Sequence, residues 1–286
     1  MTAYILVRLV LASLRAVPFP AAFRLARLYL AIADLAVPRF RQIARRNLEI
    51  AALPGAQAII AEMWNSLARS LTVFARVPDL NRQNIHKWIR YEGLENYTEA
   101  KRRGKGVLFA TAHLGNWELS AFAHALMTEP MNIVVRPLDN PTLDRFVEKW
   151  RTLSGNRVIG KRDAARSILR ALKRNEPVGA LVDQNVMASE GVFVNVFGVP
   201  ACAASGFVRL AAQSGASVIP GFALWSDDEQ RYILRFYPPV EITGDVRCDT
   251  QRIQSAVEHA IREHPGQWLW IHRRWKTRPP GEPPLY

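Results

Sequence analysis

From residue 104 onward, short apolar runs alternate with segments of helical spacing, and this alternation restricts the possible folds more than any other feature of the chain. GVLFATA, residues 106–112, follows a Lys/Gly turn and reads as a strand buried on both faces. Helical spacing follows over 117–126, then a strand over 131–136, a proline-opened helix over 141–153, a brief strand over 157–160, a helix from Asp163 to Leu172 and a strand over 177–183. Further strands are expected at 192–196 and 217–225 with a helix from Ala203 to Gln213 between them, then an alternating strand at 232–237 pairing at one side and a late helix over 250–263. The pattern predicts an α/β fold, a central mixed sheet flanked by helices, with ligand-facing groups at strand ends.

The residues before this region read as helices, including 39–52 and 56–74 and a basic stretch ending in Lys101, Arg102 and Arg103. The expected organisation is therefore an N-terminal helical, membrane-associating region over 1–103 and an α/β region over 104–286. No repeat, low-complexity tract or linker divides the latter.

The opening 50 residues carry eight arginines, no lysine, and only Asp34 and Glu49 as acids. Arg8, Arg15, Arg24 and Arg27 interrupt the apolar sequence too often for a spanning helix, and no cleavage site of small residues follows an apolar core. Two amphipathic helices separated at Pro18 and Pro20 are expected, suited either to a lipid headgroup layer or to packing on the domain with their arginines in water. Over the whole chain, 38 Lys+Arg against 25 Asp+Glu give a net charge of +13, which points to an anionic partner. With 49% hydrophobic and 22% charged residues the chain is not disordered. Cys202 and Cys248, its two cysteines, support neither a disulfide framework nor a cysteine-rich zinc site.

The sharpest local feature is His113, Leu114, Gly115, Asn116, Trp117, Glu118 directly after the GVLFATA strand. On one continuous helix His113 and Glu118 would point about 140° apart. At a strand-to-helix junction, with Gly115 in the turn and Asn116 as N-cap, the Glu118 carboxylate is expected to fold back toward the imidazole. A histidine held by a carboxylate is a general base, and backbone N–H groups at Gly115 and Asn116 are candidate donors to an oxyanion. The bland reading is a strand-end histidine beside a helix-capping glutamate. There is no G-x-S-x-G elbow and no neighbouring cysteine, so the base would activate a hydroxyl of the substrate rather than of the protein.

Other candidates stand at predicted strand or helix ends. Arg136 and Arg151 are placed to clamp phosphate or carboxylate, or are ordinary solvated arginines. Asp183 and Gln184 end the PVGALVD strand, where an acid shapes an acceptor site, braces an arginine or caps a turn. Trp268, Trp270 and Trp275 surround His272, Arg273 and Arg274; beside arginines such tryptophans suit a headgroup-facing edge, but at this spacing they read as core, and His272 has no partner ligand at metal-binding spacing.

TAHLGNWE resembles the H-x-x-x-x-D/E motif of the glycerolipid acyltransferase superfamily, and its glutamate form with L-G-N-W is similar to the bacterial lipid A biosynthesis acyltransferases. VVRPLDNPTLDRFVEKWRTLSGNRVI, LVDQNVMASEGVFVNVFGVPACAASG, GASVIPGF and QWLWIHRRWK extend the resemblance over nearly the whole chain, in that family's order. The resemblance implies transfer of a fatty acyl group from an acyl carrier protein or CoA thioester to a lipid hydroxyl, with His113 as base, Glu118 as its partner and Arg151 nearby. It implies an anionic glycolipid or phospholipid acceptor, a membrane surface on the cytoplasmic face of a bacterial inner membrane, and no metal or redox cofactor. Where an E-G-T-R block would suit a glycerol-3-phosphate acceptor, Glu190 and Gly191 are followed by Val192 and Phe193. The alternatives are a lysophospholipid or other glycolipid acyltransferase, and a non-catalytic basic protein of the membrane surface. A nucleic-acid binder accounts for the charge but lacks any recognition motif.

Overall fold

The computed structural model describes residues 2–160 and 164–286. In chain order these form helices α1 (Thr2–Arg15), α2 (Phe19–Ala36), α3 (Arg39–Ile50) and α4 (Ala56–Phe74), strand β1 (Ile89–Glu92), α5 (Leu94–Arg102), β2 (Val107–Thr111), α6 (Trp117–Met127), β3 (Asn132–Val135), α7 (Pro141–Arg151) and β4 (Arg157–Gly160). There follow α8 (Ala164–Lys173), β5 (Pro177–Leu181), β6 (Gly191–Val196), β7 (Val199–Ala204), α9 (Gly206–Ser214), β8 (Ser217–Ser226), β9 (Arg231–Phe236) and α10 (Val246–Glu263). Asp163, where the expected helix begins, lies outside the described residues.

Seven strands make one sheet in the order β1-β9-β8-β2-β5-β3-β4. All its pairings are parallel except β8 with β9, so the fold is α/β with a mixed sheet, as the alternating pattern predicted. The period of two along a strand explains why β2 is apolar from Val107 to Ala110. Val107 and Phe109 enter one apolar layer, with Leu119 and Phe122 of α6 and Tyr97 of α5. Leu108 and Ala110 enter the other, with Leu172 of α8, Val208 of α9 and Val257 of α10. A third cluster joins Leu11 and Leu14 of α1, Ala22 and Ala26 of α2, and Ala68 of α4.

Two expectations need correction. The first 103 residues are not helical throughout, because β1 lies within them and pairs in parallel with β9 at the sheet edge. A boundary at 103 would therefore cut the sheet. Residues 199–204, whose last two positions fell in an expected helix, form β7, which pairs with β6 in a separate antiparallel hairpin. Alanine-rich VPACAA has helical propensity, but pairing overrides it. The two-residue turn, Phe197 (φ 53°) and Gly198 (φ 77°), is left-handed at both positions, the geometry that closes a tight hairpin.

Candidate active site

The site follows from strand register. β2 and β5 are parallel neighbours, and Thr111 is the partner of Leu181 at their C-terminal ends. His113 and Asp183 each lie two residues beyond those ends, and the Val182 N–H still donates to the Thr111 carbonyl at 2.9 Å. The two side chains thus leave adjacent strands together. His113 Nδ1 lies 3.0 Å from Asp183 Oδ1, and the His113 backbone N–H donates to Oδ2 at 2.9 Å. The indole N–H of Trp268 donates to the same Oδ2 at 2.9 Å.

Asp183 is buried, and burial alone would raise its pKa, but the charge of His113 and its hydrogen bond, the charge of His272 and the Trp268 hydrogen bond hold it well below the usual carboxylate range. An ionised Asp183 makes Nδ1 of His113 the protonated nitrogen and leaves Nε2 with its lone pair. For His113 the largest influence, burial, disfavours the imidazolium; the charge and hydrogen bond of Asp183 and the charge of Glu118 together reverse it, so its pKa is raised. The imidazole is mostly but not wholly buried, with 15% of the side chain exposed. A group so placed can take a proton from a bound hydroxyl, with its cation stabilised from behind.

Glu118 is not the hydrogen-bonding partner of His113. Asp183 occupies Nδ1, and the first turn of α6 directs Glu118 to Arg151 at the last turn of α7, which binds it through two nitrogens at 2.9 and 2.5 Å. Glu118 reaches His113 through its field. Arg151 is thus a brace for the acid, and its own pKa is raised: burial opposes the shift, but the Glu118 hydrogen bond and charge exceed it.

The expected donors at Gly115 and Asn116 are already engaged. The Gly115 N–H donates to the Gln267 carbonyl at 2.9 Å and the Asn116 N–H to the Ala223 carbonyl at 2.8 Å, so neither is available to an oxyanion. Gly115 has φ +63°, and a Cβ there would stand 2.0 Å from the Ala223 carbonyl oxygen; the glycine permits a close approach of loop to β8. Asn116 is the N-cap of α6, its side chain accepting from the Leu119 N–H at 3.0 Å, as the sequence predicted. Arg136, 81% exposed and 3.5 Å from Asp139, makes no contact with His113, Asp183 or Glu118 among the described residues. Gln184 lies exposed in the bend after β5.

Trp268 and His272 complete the site, and their part in it is not evident from sequence. Trp268 is core, as its spacing predicted, yet its one polar atom serves Asp183. The neighbouring backbone grips the motif loop, the Leu269 N–H donating to the His113 carbonyl at 2.9 Å. The His272 ring stands 6.4 Å from that of His113 and donates through Nδ1 to the Leu269 carbonyl at 2.7 Å. Burial lowers its pKa, with the Asp183 charge opposing. Arg274 is buried on the Cys202 carbonyl and Gln254, with its pKa pushed down to about 10 by burial. No group of three or more His, Cys, Asp or Glu side chains that could hold a metal ion occurs among the described residues. No helix among them is long and apolar enough to cross a membrane.

Residues 1–277 match the family described as bacterial lipid A biosynthesis acyltransferase. Two relatives from Escherichia coli (strain K12) are similar over almost the full chain. A lipid A biosynthesis palmitoleoyltransferase is 30% identical over 94% of this chain and 89% of its own length. A lipid A biosynthesis lauroyltransferase is 28% identical over 94% and 90%. A lipid A biosynthesis myristoyltransferase of the same organism is 23% identical over 79% of this chain and 71% of its own. The strand-end histidine, its buried acid and the full-length match lead to one identification: the chain is an acyltransferase and belongs to the bacterial lipid A biosynthesis acyltransferase family.

Proposed function

We propose that the protein transfers a fatty acyl chain from an acyl carrier protein or CoA thioester to a hydroxyl of a lipid A precursor or related glycolipid, with His113 as general base. The pairing of His113 Nδ1 with buried Asp183 carries this reading, because it leaves Nε2 as the proton acceptor. Nε2 takes the proton of the acceptor hydroxyl as its oxygen attacks the thioester carbonyl. The tetrahedral intermediate then expels the thiolate, which recovers that proton from the imidazolium. One ester forms, one thioester breaks, and the step draws on no metal or redox cofactor. Asp183 fixes the tautomer and stabilises the cation, while Glu118, held by Arg151, adds a second negative charge.

The surroundings proposed are the cytoplasmic face of a bacterial inner membrane. On α1, Ile5, Leu6 and Leu9 are exposed, and on α2, Leu28, Ile32 and Leu35. Aliphatic side chains beside arginines suit a helix pair lying in a headgroup layer. The decisive assay follows labelled acyl chains from carrier-protein and CoA thioesters to purified lipid acceptors. Wild type is expected to label the glycolipid and His113→Ala to lose about 100-fold or more of that rate. Stable label on the protein itself, or full activity without His113, contradicts the direct transfer.

A further inference from the structure

One basic feature of the surface has no part in this reaction scheme. Between α1 and α7 lies a groove of about 780 Å³, and every charged side chain lining it is a cation: Arg8 and Arg15 from α1, Arg145 and Lys149 from α7. Arg15 is tied to Asp79, whereas Arg8, Arg145 and Lys149 form no ion pair among the described residues. A groove between α2, α3 and α4 differs, because Asp34 and Glu49 stand among its arginines.

Helix α7 separates its charges. Arg145 and Lys149, four residues apart, share the groove face; Asp144 accepts from the Leu138 N–H, and Arg151 turns to Glu118. Like charges at this spacing repel, which sets the pair against the gain that Lys149 makes in the last turn of the helix. The groove also has an aromatic wall, Tyr4 meeting Phe146 edge-on at 5.8 Å and Phe146 lying 4.7 Å from Trp150. Trp150 also lines the narrow cleft that contains Glu118 and Arg151. Adjacent to Glu118 in sequence, Trp117 meets the His113 ring at 5.0 Å.

We infer that the α1–α7 groove binds the phosphorylated sugar headgroup of the acceptor glycolipid, the cations on phosphate and the aromatic rings against the C–H face of the sugar. Guanidinium and ammonium groups hold phosphate by charge-assisted hydrogen bonds, and an aromatic wall in a recess suits a small ring better than a broad acidic protein surface. The groove-lining residues of α1 alternate with exposed Ile5, Leu6 and Leu9, so the headgroup would meet the groove at the level of the bilayer surface. The inference rests on the acyl-transfer reading and adds the location and chemistry of acceptor recognition.

The test uses the full-length protein and Arg145→Ala/Lys149→Ala, with a phosphorylated lipid A precursor and the same glycolipid after phosphatase treatment as acceptors. The double variant is expected to raise KM for the phosphorylated acceptor by about tenfold or more, with kcat and the donor KM within about twofold of wild type. For the dephosphorylated acceptor the two proteins should be alike. A rise in donor KM, equal losses on both acceptors, or no change overturns the assignment. If wild type transfers to neither glycolipid, the acyl-transfer reading fails. Equilibrium binding of the phosphorylated glycolipid then decides the groove by itself, since equal affinity of wild type and double variant overturns it.

Discussion

His113 and Asp183 are separated by 70 residues in sequence and 3.0 Å in space, because their strands are register partners at the ends from which both emerge. The first prediction concerns this pair. Asp183→Asn keeps the shape and removes the charge, and kcat should fall about 100- to 10,000-fold. With neutral His113 as the proposed base, whose pKa the acid raises, wild-type activity should fall as pH drops through a value above the ordinary histidine pKa. Without the carboxylate charge, burial prevails and the acidic limb moves to lower pH. A pH–rate profile in which the limb stays fixed or moves upward would contradict the relay.

The indole N–H of Trp268 gives a second test. Trp268→Phe retains an aromatic ring but removes one donor to a buried carboxylate, and thermal or urea unfolding should show a loss of about 1–3 kcal/mol. Unchanged stability would mean that the bond has no energetic weight.

Glu118 and Arg151 should behave as a pair. Both are about one-fifth exposed, so removing either alone should cost about 1–3 kcal/mol, between the limits for surface and fully buried ion pairs. Arg151→Met leaves Glu118 uncompensated beside the base, and Glu118→Gln/Arg151→Met should be less destabilised than the sum of the single variants. Strict additivity in this double-mutant cycle would remove the brace from the description.

Gly115→Ala should be among the most damaging small changes. It places a methyl group against the Ala223 carbonyl at a left-handed backbone position, and a loss of at least about 2 kcal/mol is expected. Soluble yield and unfolding midpoint would report it, and a wild-type midpoint would refute the close approach.

On α1, Leu6 and Leu9 are each 63% exposed. If they enter a bilayer, Leu6→Glu/Leu9→Glu should weaken sedimentation with anionic lipid vesicles by about tenfold or more and leave solution stability near wild type. Equal sedimentation of both proteins would exclude α1 as the contact.

The fold was legible where pattern is local. Residues 56–74 and 157–160 are predicted with the boundaries found, because helical spacing and a short apolar run each declare themselves within a few residues. β7 was not, since its alanines carry no strand signal and its partner strand decides its state. The same division holds at the site. His113, Asp183 and the Asn116 cap are readable at strand and helix ends, but the partner of His113 is not. Sequence proximity favours Glu118, five residues away, while parallel register, a non-local property, supplies Asp183. The Gly115 and Asn116 amides illustrate the complement: their loop position suggests free donors, and only the packing of β8 and residue 267 against the loop shows them taken.

The grip of residues 267–269 on the motif loop makes the His113 site a three-segment object. Parallel alignment of two strands brings imidazole and acid within reach, yet the acid gains its indole donor, and the loop carbonyl its amide, only after a segment 85 residues downstream of Asp183 has docked. A chain halted or trimmed before Trp268 would retain His113 and Asp183 but lack the clasp that seals them, separating possession of the two side chains from their assembly into a site.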